Sequence, residues 1–227
     1  MSAARSLEPE LLDLLAADDP RARASRRDLV RINFVMRQQT IMAGLLRRHS
    51  RPRRLADLGC GDGRFLLGVA RRLAPHWPQV TVLIVDQQDI VSAQTRAGFA
   101  ALGWRCESVT GDVFATLPQL DADIITANLF LHHLDDLALQ RLMRLAVQPT
   151  RGFLACEPRR SPAALLASRM VFALACNEVT RHDAVASVRA GFAAQELSGL
   201  WPHAGWTLRE GLALPFTHVF SARRDAL

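Results

Sequence analysis

The stretch RLADLGCGDGR, residues 54–64, constrains this chain more than any other. A short apolar run from Arg54 to Leu58 leads into three alternating glycines, Gly59, Gly61 and Gly63, and a helical pattern starts directly behind them. Glycine reaches positive φ without a steric penalty, so the backbone can turn sharply there and a ligand can approach its peptide groups closely. The helix that follows offers free N–H groups at its start. The spacing is not that of a dinucleotide fingerprint, because GxGxxG counted from Gly59 needs glycine where Arg64 stands.

Downstream, strand and helix patterns alternate. Phe65, Leu66, Val69 and Leu73 make an apolar stripe closed by Pro75, and Val80 to Val85 (VTVLIV) is a β-branched run of the buried parallel kind. Val91–Leu102 is expected to be helical, Trp104–Val109 and Ala122–Ala127 to be strands, and Asp135 to cap a helix reaching about Val147. Gly152–Glu157 predicts a fifth strand and Ala163–Cys176 a helix. Thr207–Glu210 and Phe216–Ala222 predict two closing strands, too close for a helical crossover and therefore antiparallel. The pattern predicts an α/β fold with a mostly parallel sheet and helices on both faces.

Ahead of the glycine loop the chain reads as helical. Leu7, Leu11, Leu12, Leu14 and Leu15 cluster on one side of a short helix that Asp18, Asp19 and Pro20 end or interrupt. A second helical pattern runs from Asp28 to Arg48, with Pro52 breaking the chain after it. Residues 1–52 are expected to form an N-terminal helical lid and residues 53–227 the main domain.

Composition removes several chemistries. With 227 residues, 49% apolar and 22% charged, the chain is ordinary globular material without an apolar stretch near the roughly 18 residues of a membrane span. All 28 basic residues are Arg. Without Lys there is no Schiff-base lysine and no GxxxxGK[ST] phosphate loop. The net charge of +6 permits a nucleic-acid partner without demanding one. Cys60, Cys106, Cys156 and Cys176 are scattered, with no CxxC pair. No metal ligand set is expected, and the protein is read as reduced and cytoplasmic. Met1 to Asp19 lacks the basic start of a secretory signal.

The stretch Asp57-Leu58-Gly59-Cys60-Gly61-Asp62-Gly63 resembles motif I, [DE]xGxGxG, of the class I S-adenosylmethionine-dependent methyltransferases. Further motifs follow in the family's order. Asp86 closes the second strand about twenty residues on, as a ribose-binding carboxylate does in dinucleotide folds. Thr110-Gly111-Asp112-Val113 is similar to the segment after the third strand, Asp121-Ala122-Asp123-Ile124-Ile125 to motif IV, and Gly152–Pro158 to the fifth-strand motif. The resemblance implies a Rossmann-like, seven-stranded mixed sheet with an antiparallel C-terminal strand, and S-adenosylmethionine as cofactor. It implies cofactor contacts at Asp57, Gly59, Cys60, Gly61, Gly63, Asp86, Gln87, Asp112, Val113, Asn128 and Leu129. In that scheme Asp86 takes both ribose hydroxyls, Asp112 the adenine amino group, the Val113 backbone the ring, and Asn128 lies near the methionine part.

The segment Asn128-Leu129-Phe130-Leu131-His132-His133-Leu134 lacks the [DN]PP[YF] of amine-directed nucleic-acid methylases. It resembles the HHL/HHF variants of small-molecule O- and C-methyltransferases, and Arg26–Asn33 is similar to a segment of bacterial enzymes linked to polyketide biosynthesis. The implied reaction is methylation of a small-molecule oxygen, phenol or enol in type, with a membrane role and a nucleic-acid partner not expected. His133 is favoured over His132 as base, and His182 and His218 are weaker candidates. An RNA methyltransferase gripping phosphates with Arg21–Arg54, and a catalytically silent partner protein, remain as alternatives. Monomer and homodimer are equally open.

Overall fold

The computed structural model describes residues 4–16, 18–170 and 175–225. Its strands are β1 (Arg54–Leu58), β2 (Thr81–Asp86), β3 (Arg105–Thr110), β4 (Ile124–Asn128), β5 (Gly152–Pro158), β6 (Trp206–Ala213) and β7 (Thr217–Arg224). They form one seven-stranded sheet in the order β3-β2-β1-β4-β5-β7-β6. β1 to β5 are parallel, and β7 inserts antiparallel between β5 and β6. This is the expected sheet.

The helices are α1 (Leu11–Leu14), α2 (Pro20–Val35), α3 (Gln38–Leu46), α4 (Arg64–Leu73), α5 (Ala93–Ala101), α6 (Val113–Thr116), α7 (Asp136–Ala146), α8 (Pro162–Arg169) and α9 (Glu178–Ala190). Side chains alternate across a strand, so each strand feeds two cores. Ala56, Leu58, Leu83, Val85, Ile125 and Ala127 pack with Leu139, Leu142 and Met143 of α7 and with Trp201. Leu55, Val82, Ile84 and Ile124 pack on the other face with Leu66, Val69 and Leu73 of α4, Phe99 of α5, and Met42 and Leu46 of α3. Burial on both faces explains the uninterrupted β-branched run of β2.

Four expectations need correction. Pro20 starts a helix: Asp19 accepts the Arg21 N–H and Pro20 fills the first helical position, where its missing N–H costs nothing. The expected helix over 28–48 is broken at Arg37, whose φ of 56° is left-handed, and α3 restarts at Gln38. The helix expected over 163–176 ends at Arg169; residues 171–174 lie outside those described, and Cys176 is not helical. α9 was not expected, although Asn177 caps it by accepting the Thr180 N–H at 2.8 Å.

α3 belongs to the core beside α4, whereas α1 and α2 pack against α9. Asp28 and Ser25 of α2 are buried against Thr180, whose hydroxyl donates to Asp28 and lies 2.9 Å from the Ser25 hydroxyl, and Asp28 also accepts the Asn177 N–H at 2.8 Å.

Candidate active site

Ligands bind open α/β sheets outside the carboxyl ends of the strands, where the strand order reverses. Here β1 lies between β2 and β4, and a cavity of about 510 Å³ opens at that point. Ligand sites of roughly 300–1,000 Å³ are typical for molecules of cofactor size.

Ten of the eleven expected cofactor residues line the cavity; Gly63 does not. Gly63 instead precedes α4 at φ 72°, where an added Cβ would lie 2.8 Å from the Ile84 side chain, so its role is the close approach of loop and sheet. Gly59 (φ 61°) is equally tight: a Cβ would fall 2.2 Å from the Phe130 ring. Gly61 (φ 55°) differs, because nothing stands within 4 Å of its Cβ direction. That glycine keeps space open.

Asp86 holds the loop in shape. Its two carboxylate oxygens accept the Gly61 N–H at 2.8 Å and the Gln88 N–H at 3.0 Å. Asp57 is buried beneath the loop and accepts the Thr126 hydroxyl at 2.7 Å. Burial pushes its pKa up to about 7, against the Thr126 bond, with the Asp86 charge adding to the rise. Asp112 caps α6 through Oδ1 alone, accepting the Phe114 and Ala115 N–H groups. Burial also raises the Cys60 thiol, which argues against a nucleophilic role.

Asn33 and Asn128 line this cavity, and the Oδ1 of each is buried without a hydrogen-bond partner. A native protein rarely leaves such atoms unsatisfied unless a ligand or water completes them. With the open Gly61 cradle, they fit a polar ligand the size of S-adenosylmethionine.

The histidines face this cavity in unequal situations. Glu157, at the end of β5, is fully buried and accepts the N–H groups of Phe130 and Leu131 and the His132 Nδ1 proton at 2.7 Å. This fixes the turn after β4, which starts at left-handed Leu129 (φ 52°). The other His132 nitrogen, Nε2, lies 3.2 Å from Glu10. Burial alone would lower the His132 pKa, but its bonds to Glu10 and Glu157 and their charges overcome this and push it up to about 9. Burial likewise works to raise Glu10, yet the paired His132, the His133 charge and the Ser187 hydroxyl hold it below the ordinary value. His132 is thus an imidazolium at neutral pH, without a lone pair for base chemistry. His133 is more open, with Nδ1 3.1 Å from Asp13 and Nε2 3.9 Å from Glu10. His182 and His218 do not line the cavity; His218 is buried in β7, bonded to Glu210 at 2.6 Å.

The segment carrying Glu10 and Asp13 is fastened across the site. Arg5 donates to the carbonyls of Ala190 and Leu134, both at 2.9 Å, and pairs with Asp136 at 2.8 Å. Asp183 of α9 accepts the Leu11 and Leu12 N–H groups at 2.8 and 3.0 Å. Sequence reasoning missed Glu10, Asp13, Asp183 and Glu157 as site residues. Only Glu157 carried a signal, as a carboxylate at the carboxyl end of a central strand.

The strand order and a glycine loop at the switch point define the class I methyltransferase fold. Residues 55–150 match the family described as methyltransferase domain. An uncharacterised methyltransferase of Mycobacterium tuberculosis is 36% identical over 88 residues, 38% of this chain and 41% of the relative. Trans-aconitate 2-methyltransferase of the same species is 32% identical over 83 residues, 36% of this chain and 28% of the relative. The matched segment thus spans less than half of either relative's length. Among solved structures, the plantazolicin methyltransferase in complex with SAH superposes at a TM-score of 0.69 with 11% identity, covering 96% of this chain and 95% of that one. Mitomycin 7-O-methyltransferase gives 0.64 with 18% identity, covering 94% and 60%. Residues 55–150 thus match a methyltransferase domain, and the chain has the fold of solved methyltransferases. Among the described residues, no helix is long and apolar enough to cross a membrane.

Proposed function

We propose that this protein transfers the methyl group of S-adenosylmethionine to a small-molecule oxygen of phenol or enol type. One observation supports this most directly: the glycine loop, Asp86, Asp112, Asn128 and His133 share one cavity with a second set of residues that includes Glu10, Asp13 and Asn33. The cofactor supplies an activated methyl group when bound. Alignment is then the protein's main contribution, on the order of 7–11 kcal/mol. Asp86 accepts from the ribose hydroxyls, and Asp112, with Oδ2 free of the cap, accepts from the adenine amino group. Asn128 would lie against the methionine part and Asn33 against the acceptor, since both line the cavity.

His133 takes the acceptor's proton. Asp13 beside Nδ1 favours the tautomer with Nε2 unprotonated, which leaves that nitrogen to accept a phenolic or enolic proton. His132 is a positioning residue, fixing the turn that carries His133. The name of the mitomycin relative supports oxygen as the accepting atom by analogy. Three of the eleven arginines expected to grip RNA donate within the fold: Arg47 to the Arg72 carbonyl, Arg51 to the Pro78 carbonyl and Arg54 to the Asp121 carbonyl. This favours a small-molecule acceptor over RNA.

Methyl transfer from labelled cofactor to phenols of falling pKa tests the reading. His133→Ala should slow turnover on a neutral hydroxyl roughly 10²–10⁴-fold, and less on acceptors already ionised. An effect of only a few-fold on neutral hydroxyls would remove His133 as base.

A further inference from the structure

We infer that Glu10, His132 and His133 form a binding site for one divalent transition-metal ion at the wall of the cavity. One ligand atom from each of the three lies within 4.8 Å of the others. The arrangement of the rings is more telling than the distance. Each histidine has Nδ1 against a carboxylate, His132 against Glu157 at 2.7 Å and His133 against Asp13 at 3.1 Å. Each therefore turns Nε2 toward the two oxygens of Glu10, at 3.2 and 3.9 Å. Metal-bound histidines almost always hand their other ring nitrogen to a carboxylate or carbonyl, which fixes the tautomer and the ring plane. Here that outer arrangement occurs twice around one central carboxylate.

The distances suit such an ion. Bonds of about 2.0–2.1 Å in a tetrahedral site put neighbouring ligands roughly 3.3 Å apart. His132 Nε2 and Glu10 already meet this, and both are held: His132 by burial, Glu10 by the Ser187 hydroxyl. With the three ligand atoms within 4.8 Å of one another, His133 has to close by up to about 1.5 Å, and its side chain is one quarter exposed and able to turn. Two imidazoles and one carboxylate suit zinc, cobalt or ferrous iron better than magnesium or calcium. The ion replaces the proton between His132 Nε2 and Glu10, and its fourth position faces the cavity. The site stands on geometry alone. Its consequence rests on the methyl-transfer reading: an ion takes the Nε2 lone pair of His133 and blocks the base.

The probe is Co(II), added to untagged full-length protein that has been treated with chelator and desalted. The expected result is a visible d–d band saturating at one ion per chain, reversed by Zn(II). Glu10→Gln and His133→Ala should each weaken binding at least tenfold, and Glu157→Gln by 10–100-fold. The exposed His203→Ala should change nothing. His133→Ala removes an exposed ring and keeps the test valid if the Glu10 variant does not fold. Absence of the band, or the same affinity in His133→Ala as in the parent, overturns the site. If cobalt binds as expected but transfer is not inhibited, the site stands and the base assignment falls.

Discussion

Raising the pH should loosen this protein through one buried ring. His132 holds its proton to about pH 9 in the folded state and to about 6.5 when unfolded. A raised folded pKa contributes stability that is complete below pH 6.5 and lost as pH rises through 9, because the native state binds the extra proton across that window. At about 1.4 kcal/mol per pH unit, the whole difference is about 3 kcal/mol. Two carboxylates cause it, so Glu157→Gln is the informative perturbation. The amide oxygen can still accept the Phe130 and Leu131 N–H groups, while the charge facing Nδ1 disappears. Loss of that charged hydrogen bond should lower stability at pH 6.5 by about 2–3 kcal/mol. It should also flatten the decline between pH 6.5 and 8.5. Urea denaturation at half-unit pH steps reads both quantities, with an unchanged m-value certifying the comparison. Asp57, raised to about 7, loses its contribution between pH 3.8 and 7 and cancels between parent and variant. The cysteine thiols are raised from 9 and act only above the window. A parent stability that stays flat from pH 6.5 to 8.5, or a variant with the parent's slope, would refute the ion-pair account.

Other expectations follow from the cavity. Asp86→Ala should weaken S-adenosylmethionine binding by about 1.5–3 kcal/mol in calorimetric titration, and unchanged affinity would remove Asp86 from the site. Gly61→Val should abolish binding, since Gly61 lines the cavity in a left-handed conformation that valine rarely adopts, whereas Gly59→Ala should lower the melting temperature through the Phe130 clash. Removing residues 1–18 should leave cofactor affinity largely intact but stop transfer, because Glu10 and Asp13 leave with them; normal turnover by the truncated chain counts against this wall.

The central sheet and the glycine loop were legible because local rules wrote them. A β-branched run reads as a buried strand, and alternating glycines read as a close approach. The segment fastened across the cavity was not legible, because its contacts join residues remote in sequence: Glu10 meets His132 across 122 positions and Asp183 meets Leu11 across 172. The break at Arg37 had no glycine or proline to announce it. α9 went unread because its buried positions are mostly small or polar: Thr180, Asp183, Ala186 and Ala190. An apolar stripe was the signal sought, and a helix that packs through hydrogen bonds to α2 lacks one. The two histidines were found by type, but their unequal roles depend on carboxylates that only the fold brings near.

The way α9 and the segment before α2 are joined separates two kinds of variation. One wall of the cavity comes from β1, β2, β3 and β4 and the turns after them. The opposite wall comes from residues 10–33 and Ser187, fastened to each other through Arg5, Asp28 and Asp183. Substitutions in the second group can reshape what is accepted while leaving the donor's seat untouched. An engineer seeking new acceptors has a bounded library there: the residues of 10–33 that face the cavity, with the three fastening residues held constant.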